Sequence, residues 1–144
     1  MENKWKIIYY ILPNGKNPVK EFLDDHPRAK LKALRILSNI EEFGLSYAIP
    51  HTKKLSGTPL WEIRILGEDS VRILYVTKQG RQIILLHAFI KKTNKTPRKQ
   101  LNIGLARLSK IDILTWLCPK RYNTNMKRKI YTLDDHIRES LKNP

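Results

Sequence analysis

The sequence predicts an α+β fold with an N-terminal strand, two helices, an antiparallel three-strand meander and a C-terminal helix. Short runs rich in Ile, Val and Tyr predict the strands, and apolar residues at helical spacing predict the helices. Gly, Pro and Asn mark the boundaries between these runs. The length of 144 residues suits one domain with appendages, because a second independent core would leave both halves marginally stable.

The first part of the chain is predicted to hold one strand and two helices. Trp5–Leu12 is rich in Ile and Tyr and stops at a Pro-Asn-Gly turn signal, which indicates a strand. In the helix that follows, Asn17 can act as the cap and Pro18 can take the first helical position. Apolar residues then recur at helical spacing through Leu31–Phe43, and Gly44 is well placed to end this second helix.

Three strand-like runs follow, and we expect them to form an antiparallel meander. They are Leu60–Leu66, Val71–Thr77 and Gln82–Ile90. The segments between them, Gly67-Glu68-Asp69 and Gln79-Gly80, are plausible hairpin turns.

The length of each turn predicts which side chains face each other. With a three-residue first turn, Arg64 lies opposite Arg72. With a two-residue second turn, Lys78 pairs with Arg81 and Arg72 lies opposite His87. Like charges opposed on a sheet reduce stability by a few tenths to about one kcal/mol, so this row indicates an anion-binding site that suits a phosphodiester. A shift of one residue would move either partner to the other face.

The last part of the chain divides into three predicted segments. A helix starting at Pro97 completes a first domain, residues 1–111. Residues 112–125 show no clean period, which is typical of a linker. Residues 126–144 form a C-terminal amphipathic segment, in which Thr132–Leu141 reads as a short helix capped by its first residue.

The net charge of +15 is the strongest compositional signal. A folded surface this basic attracts polyanions, of which nucleic acid is the commonest, while an anionic membrane is the competing interpretation. The longest apolar runs have only strand length, and the N-terminus lacks a signal core followed by a cleavage site. We therefore expect a soluble cytoplasmic protein without a membrane partner.

No metal or cofactor is indicated. The lone Cys118 cannot form an internal disulfide and is too little for a zinc site, and there is no Gly-rich phosphate loop. Glu62 and Asp69 are poorly spaced for a metal nuclease. Any chemistry is therefore expected to come from side chains alone.

Residues 70–111 carry ten Lys or Arg and no Asp or Glu. Cutting RNA without a metal needs activation of the 2′-hydroxyl, stabilisation of charge on phosphorus and protonation of the leaving 5′-oxygen. Arg64 and Arg72 suit the second task, and His87 suits the first or the third. The competing interpretations are a solvated basic face, ion pairs of the arginines with Glu62 or the acids of the first turn, and a structural histidine.

Further residues are candidates for holding RNA around this row. Phe89 shares the predicted face of His87 and offers a stacking surface for an unpaired base, although core packing explains it equally. The loop after the last strand and the segment before the meander supply cations for flanking phosphates. The predicted phosphate contacts are Lys53, Lys54, Lys91, Lys95 and Arg98.

Four stretches, in order, resemble the phage-derived HigB branch of the RelE/ParE toxins. They are Pro18–Leu23, Lys54–Arg64 with its "LWEIR" end, Val71–Tyr75 and the "LHAFIKKTNKTP" run Leu86–Pro97. The resemblance covers about residues 5 to 111. It implies a RelE-like fold and the toxin of a type II toxin–antitoxin system. Such toxins are metal-independent endoribonucleases (mRNA interferases) that usually cut messenger RNA in the ribosomal A site and so inhibit translation.

The resemblance also implies residue roles and partners. Arg64 and Arg72 match cationic active-site positions, Lys91 or Lys92 matches the basic end of the last strand, and His87 resembles a histidine of the HigB branch. A tyrosine found near the end of some relatives has no clear match. The implied partners are messenger RNA, the ribosome and a cognate HigA-like antitoxin, with DNA reached only through the toxin–antitoxin complex.

Three alternatives remain open at this point. ParE-like relatives inhibit DNA gyrase instead of cutting RNA, and a fold-level likeness does not separate the two targets. A non-catalytic nucleic-acid-binding protein is the other class. The segment 126–144 resembles the start of a HigA-like antitoxin, whereas the simpler interpretation is a C-terminal helix that packs Ile137 and Leu141 on the protein's own surface.

Overall fold

The computed structural model describes residues 4–67, 70–78, 81–117 and 131–142, with the backbone alone for residues 112–117. Within these residues a six-stranded mixed sheet has the strand order β2-β3-β4-β5-β1-β6. Its elements, in chain order, are β1 (Lys6–Tyr9), α1 (Pro18–Asp24), α2 (Pro27–Phe43), α3 (Leu45–Ala48), a 3₁₀ turn (Ile49–His51), β2 (Thr52–Lys54), β3 (Trp61–Ile65), β4 (Val71–Lys78), β5 (Gln82–Ile90), α4 (Arg98–Leu117), β6 (Tyr131–Thr132) and α5 (Leu133–Lys142). The predicted α+β class is confirmed.

Cap geometry confirms the predicted start of α1 and the predicted end of α2, whereas α2 begins at Pro27, before the Leu31–Phe43 run that predicted it. The Asn17 side chain accepts a hydrogen bond from the Lys20 amide at 3.2 Å, and Pro18 takes the first turn of α1. α2 ends at Gly44, whose φ of +89° favours glycine. A Cβ at Gly44 would also lie 3.3 Å from the indole nitrogen of Trp5.

A separate hydrophobic core lies on each side of the sheet. On one side α1, α2 and α5 cover a core that includes Ile63, Ile73 and Leu85. On the other side α4 covers Leu74 and Leu86. Strand residues therefore alternate between two buried faces, and we call the second one the α4 face. Among the described residues, no helix combines the length and the apolar character that crossing a membrane requires.

The register of the first hairpin is as predicted. Arg64 pairs with Arg72, and Ile65 pairs with Val71. The turn residues 68–69 lie outside the described residues. Two cations therefore do face each other across β3 and β4.

The register of the second hairpin differs from the prediction. Lys78 pairs with Gln82 instead of Arg81, whose φ is +59°, and a β-bulge then lets two residues of β5, Leu86 and His87, oppose one residue of β4. Phe89, not His87, is the residue opposite Arg72. Each irregularity shifts the pairing by one residue, so together they return His87 to the same face as Arg72. The turn residues 79–80 lie outside the described residues.

Several elements were not predicted. β1 pairs in parallel with β5 in the middle of the sheet, while β2 and β6 are short strands at its two edges. α4 continues to Leu117, so the helix extends into the segment expected to be a linker. Residues 118–130, which include Cys118 and the remainder of the expected linker, lie outside the described residues.

The C-terminal segment packs against the domain on the side of the first core. β6 pairs antiparallel with β1. α5 begins with the predicted cap, since the Thr132 hydroxyl oxygen accepts from the Asp135 amide at 3.4 Å and the Thr132 amide donates to the Asp135 carboxylate at 3.0 Å. His136 is fully buried, and its ring accepts from the Tyr9 hydroxyl at 2.7 Å and donates to Asp24 at 2.9 Å. β6 and α5 therefore share buried contacts with β1 and α1.

The two apolar residues that were expected to pack the C-terminal helix against the protein differ in their burial. Ile137 packs against the first core, as expected, whereas Leu141 is 77% exposed and does not. Leu133, at the start of α5, is fully buried instead. The resemblance of residues 126–144 to an antitoxin remains a hypothesis about the segment's origin.

This packing predicts a difference between two leucines of α5. Leu133→Ala should lower the free energy of unfolding by about 2–5 kcal/mol, because it leaves a cavity in the core. Leu141→Ala, the matched control at an exposed site, should change it by less than about 0.5 kcal/mol. Urea unfolding of the full chain measures both. Equal, small effects would show that α5 is not docked in solution.

Candidate active site

The predicted catalytic residues share the α4 face of the sheet. Arg64, Arg72 and Phe89 form one row across β3, β4 and β5. His87 lies two residues before Phe89, and the two rings stack with centroids 5.6 Å apart. The structure therefore brings Arg64, Arg72 and His87 to one face, with His87 placed diagonally to Arg72.

Arg72 is committed to a buried ion pair. Its Nε donates to Glu62 Oε1 at 3.1 Å, and its Nη1 donates to the Val71 carbonyl at 3.1 Å. Arg72 is 9% exposed and Glu62 is fully buried. The interpretation of Arg72 as an ion-pair partner of Glu62 is therefore confirmed, and its guanidinium has little freedom left to follow a substrate.

Glu62 also ties the basic loop after β5 to the sheet. Thr96 donates its hydroxyl to Glu62 Oε2 at 2.8 Å, and the Lys91 amino group lies 3.9 Å from Oε1. The Lys91 side chain is itself largely buried. One carboxylate therefore faces two cations, which leaves this buried cluster with one net positive charge.

The remaining predicted cations lie around this cluster. Arg64 is half-buried on β3, and within the described parts of the chain no carboxylate pairs with it. The same holds for the exposed cations of β2 and of the loop and first turn before α4. These are Lys53, Lys54, Lys92, Lys95, Arg98 and Lys99. Lys53 is the cross-strand neighbour of Glu62 and so borders the cluster directly.

Phe89 is buried, whereas stacking on an RNA base requires an accessible ring. It is 4% exposed and belongs to the core beneath α4. Packing therefore accounts for Phe89, and the base-stacking role stays a prediction.

His87 is held by two residues of α4. Its Nε2 bonds to Gln100 Oε1, and its Nδ1 lies 3.3 Å from Arg107 Nη1. With the Gln100 oxygen as acceptor, Nε2 carries the proton and Nδ1 presents its lone pair towards Arg107. Arg107 is anchored separately, since it donates to the Leu86 carbonyl at 2.8 Å and lies 5.9 Å from the centre of the Tyr10 ring.

The surroundings of His87 keep its ring neutral. Burial lowers the pKa of His87, the hydrogen bond to Gln100 acts in the opposite direction, and the Arg107 charge lowers the pKa further. A neutral imidazole at physiological pH can accept a proton. The arrangement therefore suits His87 to general-base chemistry at Nδ1, provided that a substrate hydroxyl replaces the long contact to Arg107.

Gln100, Arg107 and Thr96 were missed by sequence reasoning. Gln100 and Arg107 lie seven residues apart on one face of α4, with Gly104 between them. A Cβ at Gly104 would lie 3.0 Å from the Leu74 side chain and 3.1 Å from Leu60, so this glycine allows α4 to approach the sheet closely. The sequence signal that could have linked Gln100 and Arg107 to the site is their spacing on either side of Gly104 in the predicted helix.

Metal-ligating side chains are not clustered in the described part of the chain. No group of three His, Cys, Asp or Glu there is arranged to hold an ion.

The Glu62–Arg72 pair predicts a specific pattern of stability. Arg72→Ala should lower the free energy of unfolding by about 3–5 kcal/mol, because it removes one of the cations that pair with the buried Glu62 carboxylate. Adding Glu62→Gln to Arg72→Ala should recover part of that loss. Arg64→Ala is the control, since it removes a half-buried cation that pairs with no carboxylate in the described part of the chain, and it should cost less than about 1 kcal/mol.

Urea unfolding of the three variants and the native chain measures these differences. A loss in Arg72→Ala no larger than in Arg64→Ala would show that the ion pair does not contribute to stability. A double variant less stable than Arg72→Ala would show that the unpaired carboxylate is not the cause of the loss.

The lowered pKa of His87 predicts how stability depends on pH. Below about pH 6.5 the unfolded chain binds the proton more readily than the folded one, so the free energy of unfolding should fall as the pH falls from there. Burial lowers the pKa of His136 in the same sense. His87→Gln should reduce the slope between pH 6.5 and 5 by up to about 1.4 kcal/mol per pH unit. An unchanged slope would contradict the assignment to His87.

Comparison with known proteins adds the family. The model of the phage-derived Gp49-like proteins (DUF891) matches residues 20–109, which is more than half of the chain. The match runs from α1 into α4 and includes β2 to β5, which carry the candidate site. No curated protein matches the chain. The Gp49-like family is toxin-like and related to RelE. This chain therefore belongs to the Gp49-like family of phage-derived proteins.

Proposed function

We propose that the protein is the toxin of a type II toxin–antitoxin system, close to the HigB branch, and that it cuts messenger RNA without a metal ion. The observation that carries the proposal is the α4 face, where a neutral His87 lies beside a buried ionic cluster of net positive charge. Exposed cations that pair with no carboxylate among the described residues border this face. The family assignment supports the toxin class.

In this proposal the cations bind the RNA backbone. Arg64 contacts the scissile phosphate, because its guanidinium is half-buried, has no carboxylate partner among the described residues and matches phosphate geometry. Arg72 is held in place by Glu62 on the neighbouring strand, and the cluster that it forms with Glu62 and Lys91 adds one net positive charge. Lys95 and Arg98 hold the flanking phosphates from the loop and the first turn of α4.

The proposed reaction is an internal displacement at phosphorus. The 2′-oxygen attacks the adjacent phosphorus while the bond from phosphorus to the 5′-oxygen breaks, which leaves a 2′,3′-cyclic phosphate and a 5′-hydroxyl. His87 Nδ1 takes the proton of the 2′-hydroxyl, and the Lys92 ammonium gives a proton to the leaving 5′-oxygen. Arg64 stabilises the charge that develops on the phosphorane oxygens.

The proposal includes partners that follow from the toxin class. The ribosome presents the messenger RNA in the cytoplasm, and the product is a block of translation. A HigA-like antitoxin neutralises the protein, and DNA is bound through the complex of the two. The RelE-like arrangement of the fold belongs to this proposal too.

Mapping 5′ ends of messenger RNA after expression in cells tests the function. RNA cutting predicts new 5′-hydroxyl ends inside coding sequences. Gyrase inhibition predicts changed DNA supercoiling with intact messages. A binding protein predicts neither, and either of these last two outcomes would overturn the proposal.

Variants of the site test the assigned roles. Arg64→Ala and His87→Gln should each lower the cutting rate by about 10²-fold or more, which is the scale of losing one preorganised donor or one acid–base group. Lys16→Ala, which removes an exposed cation from the loop between β1 and α1, should cut at the native rate. Rates are measured with purified protein, messenger RNA and ribosomes.

Two further measurements separate chemistry from structure. His87→Gln should keep its affinity for RNA, because the substitution removes no charge from the neutral site. Its urea midpoint at neutral pH shows whether the fold is retained. Unchanged cutting in His87→Gln together with lower stability would assign His87 a structural role only.

A further inference from the structure

The far end of β3 is an incompletely covered strand edge. β2 pairs only with Trp61–Ile63, and along the described chain no strand pairs with Ile65 or Leu66 on that side. The Leu66 carbonyl instead accepts a hydrogen bond from the Lys32 amino group of α2 at 2.8 Å. Unpaired strand edges are sites where an extended segment of another chain can add.

A groove of about 420 Å³ lies between this edge and α2. Its walls include Leu31 and Leu66, each of which is 70% exposed. Two large aliphatic side chains therefore stand in water on the two sides of one groove. Exposed apolar surface of this kind, surrounded by polar groups, is typical of protein-binding sites.

The polar lining of the groove is cationic. Arg28, Lys32 and Arg35 follow each other on one face of α2, and the described lining residues include no carboxylate. Arg35 is exposed and has no ion-pair partner within the described ranges. A ligand that suits both the leucines and the cations Lys32 and Arg35 carries apolar side chains together with carboxylates.

We propose that this groove, which we call the α2–β3 groove, binds an acidic, apolar segment of a partner protein. The segment runs along the edge of β3, places apolar side chains between Leu31 and Leu66 and places carboxylates at Lys32 and Arg35. A second copy of the chain is disfavoured because each copy carries a net charge of +15. RNA lacks the aliphatic groups that would cover the two leucines.

The groove lies apart from the cutting site. α2 covers the opposite side of the sheet from α4, and Ile65 belongs to the first core while Arg64, one residue earlier, lies on the α4 face. A segment bound along β3 would thus contact the strand that carries Arg64 without filling the α4 face. We take this partner to be the antitoxin, and that choice rests on the proposed function. The binding of an acidic, apolar segment to the groove does not depend on it.

The test uses a labelled peptide that alternates Glu with Leu and Val, and fluorescence anisotropy with the full chain. Arg35→Glu should weaken binding by about tenfold or more, equivalent to about 1.4 kcal/mol. Leu31→Ser should weaken it several-fold. The matched controls are Lys16→Glu, which makes the same charge change elsewhere, and Leu141→Ser, which makes the same polar change at another exposed leucine.

Single-stranded RNA and the cutting assay complete the design. Retained cutting and RNA affinity in Arg35→Glu and Leu31→Ser, with weakened peptide binding, would support the proposal. Absence of peptide binding by the native chain, an effect of Arg35→Glu no larger than that of Lys16→Glu, or an equal loss of RNA affinity would overturn it. If the native chain binds the peptide but cuts no RNA, the proposed function fails and the groove assignment stands.

Discussion

The carboxylate of Glu62 is the group on which the candidate site depends. Removing a carboxylate from water costs several kcal/mol unless cations and hydrogen-bond donors replace the lost hydration. Here Arg72 comes from β4, Lys91 from the end of β5 and Thr96 from the following loop. These partners lie on separate segments of the chain. The interactions that stabilise one buried carboxylate therefore also hold β3, β4 and the basic loop after β5 in position relative to one another.

This cluster also explains how the fold tolerates opposed arginines. Arg64 and Arg72 face each other across two strands, which is unfavourable by itself. Glu62 pairs with Arg72 and, among the described residues, no carboxylate pairs with Arg64. The acid-free run of residues 70–111 is thus balanced in part by a carboxylate from outside the run, and the cations that no described acid reaches are left to attract a polyanion.

The outcome at each hairpin shows which features a sequence determines locally. The Asn17 cap, the end of α2 at Gly44 and the register at Arg64 depend on near neighbours, and all three were predicted correctly. The second register depends on a bulge that places both Leu86 and His87 on the α4 face, so it depends on packing against a helix that follows in the chain. The parallel pairing of β1 with β5 and the addition of β6 join distant segments, for which local pattern gives no signal. Arg64 and Arg72 could therefore be placed opposite each other, whereas His87 reached the predicted face only because two one-residue shifts act together. Gln100 and Arg107 could not be connected to them.

The connection of His87 to α4 bears on the reaction we propose. Burial lowers the pKa of His87 in the free protein and the Arg107 charge acts in the same direction, so the imidazole stays neutral. In the proposed reaction an arriving phosphodiester brings a negative charge that offsets Arg107, and the 2′-hydroxyl of the adjoining ribose takes the place of the 3.3 Å contact at Nδ1. The imidazolium formed when His87 takes the proton is then stabilised by the same anion. On this proposal, substrate binding raises the basicity of His87 at the stage when a base is needed.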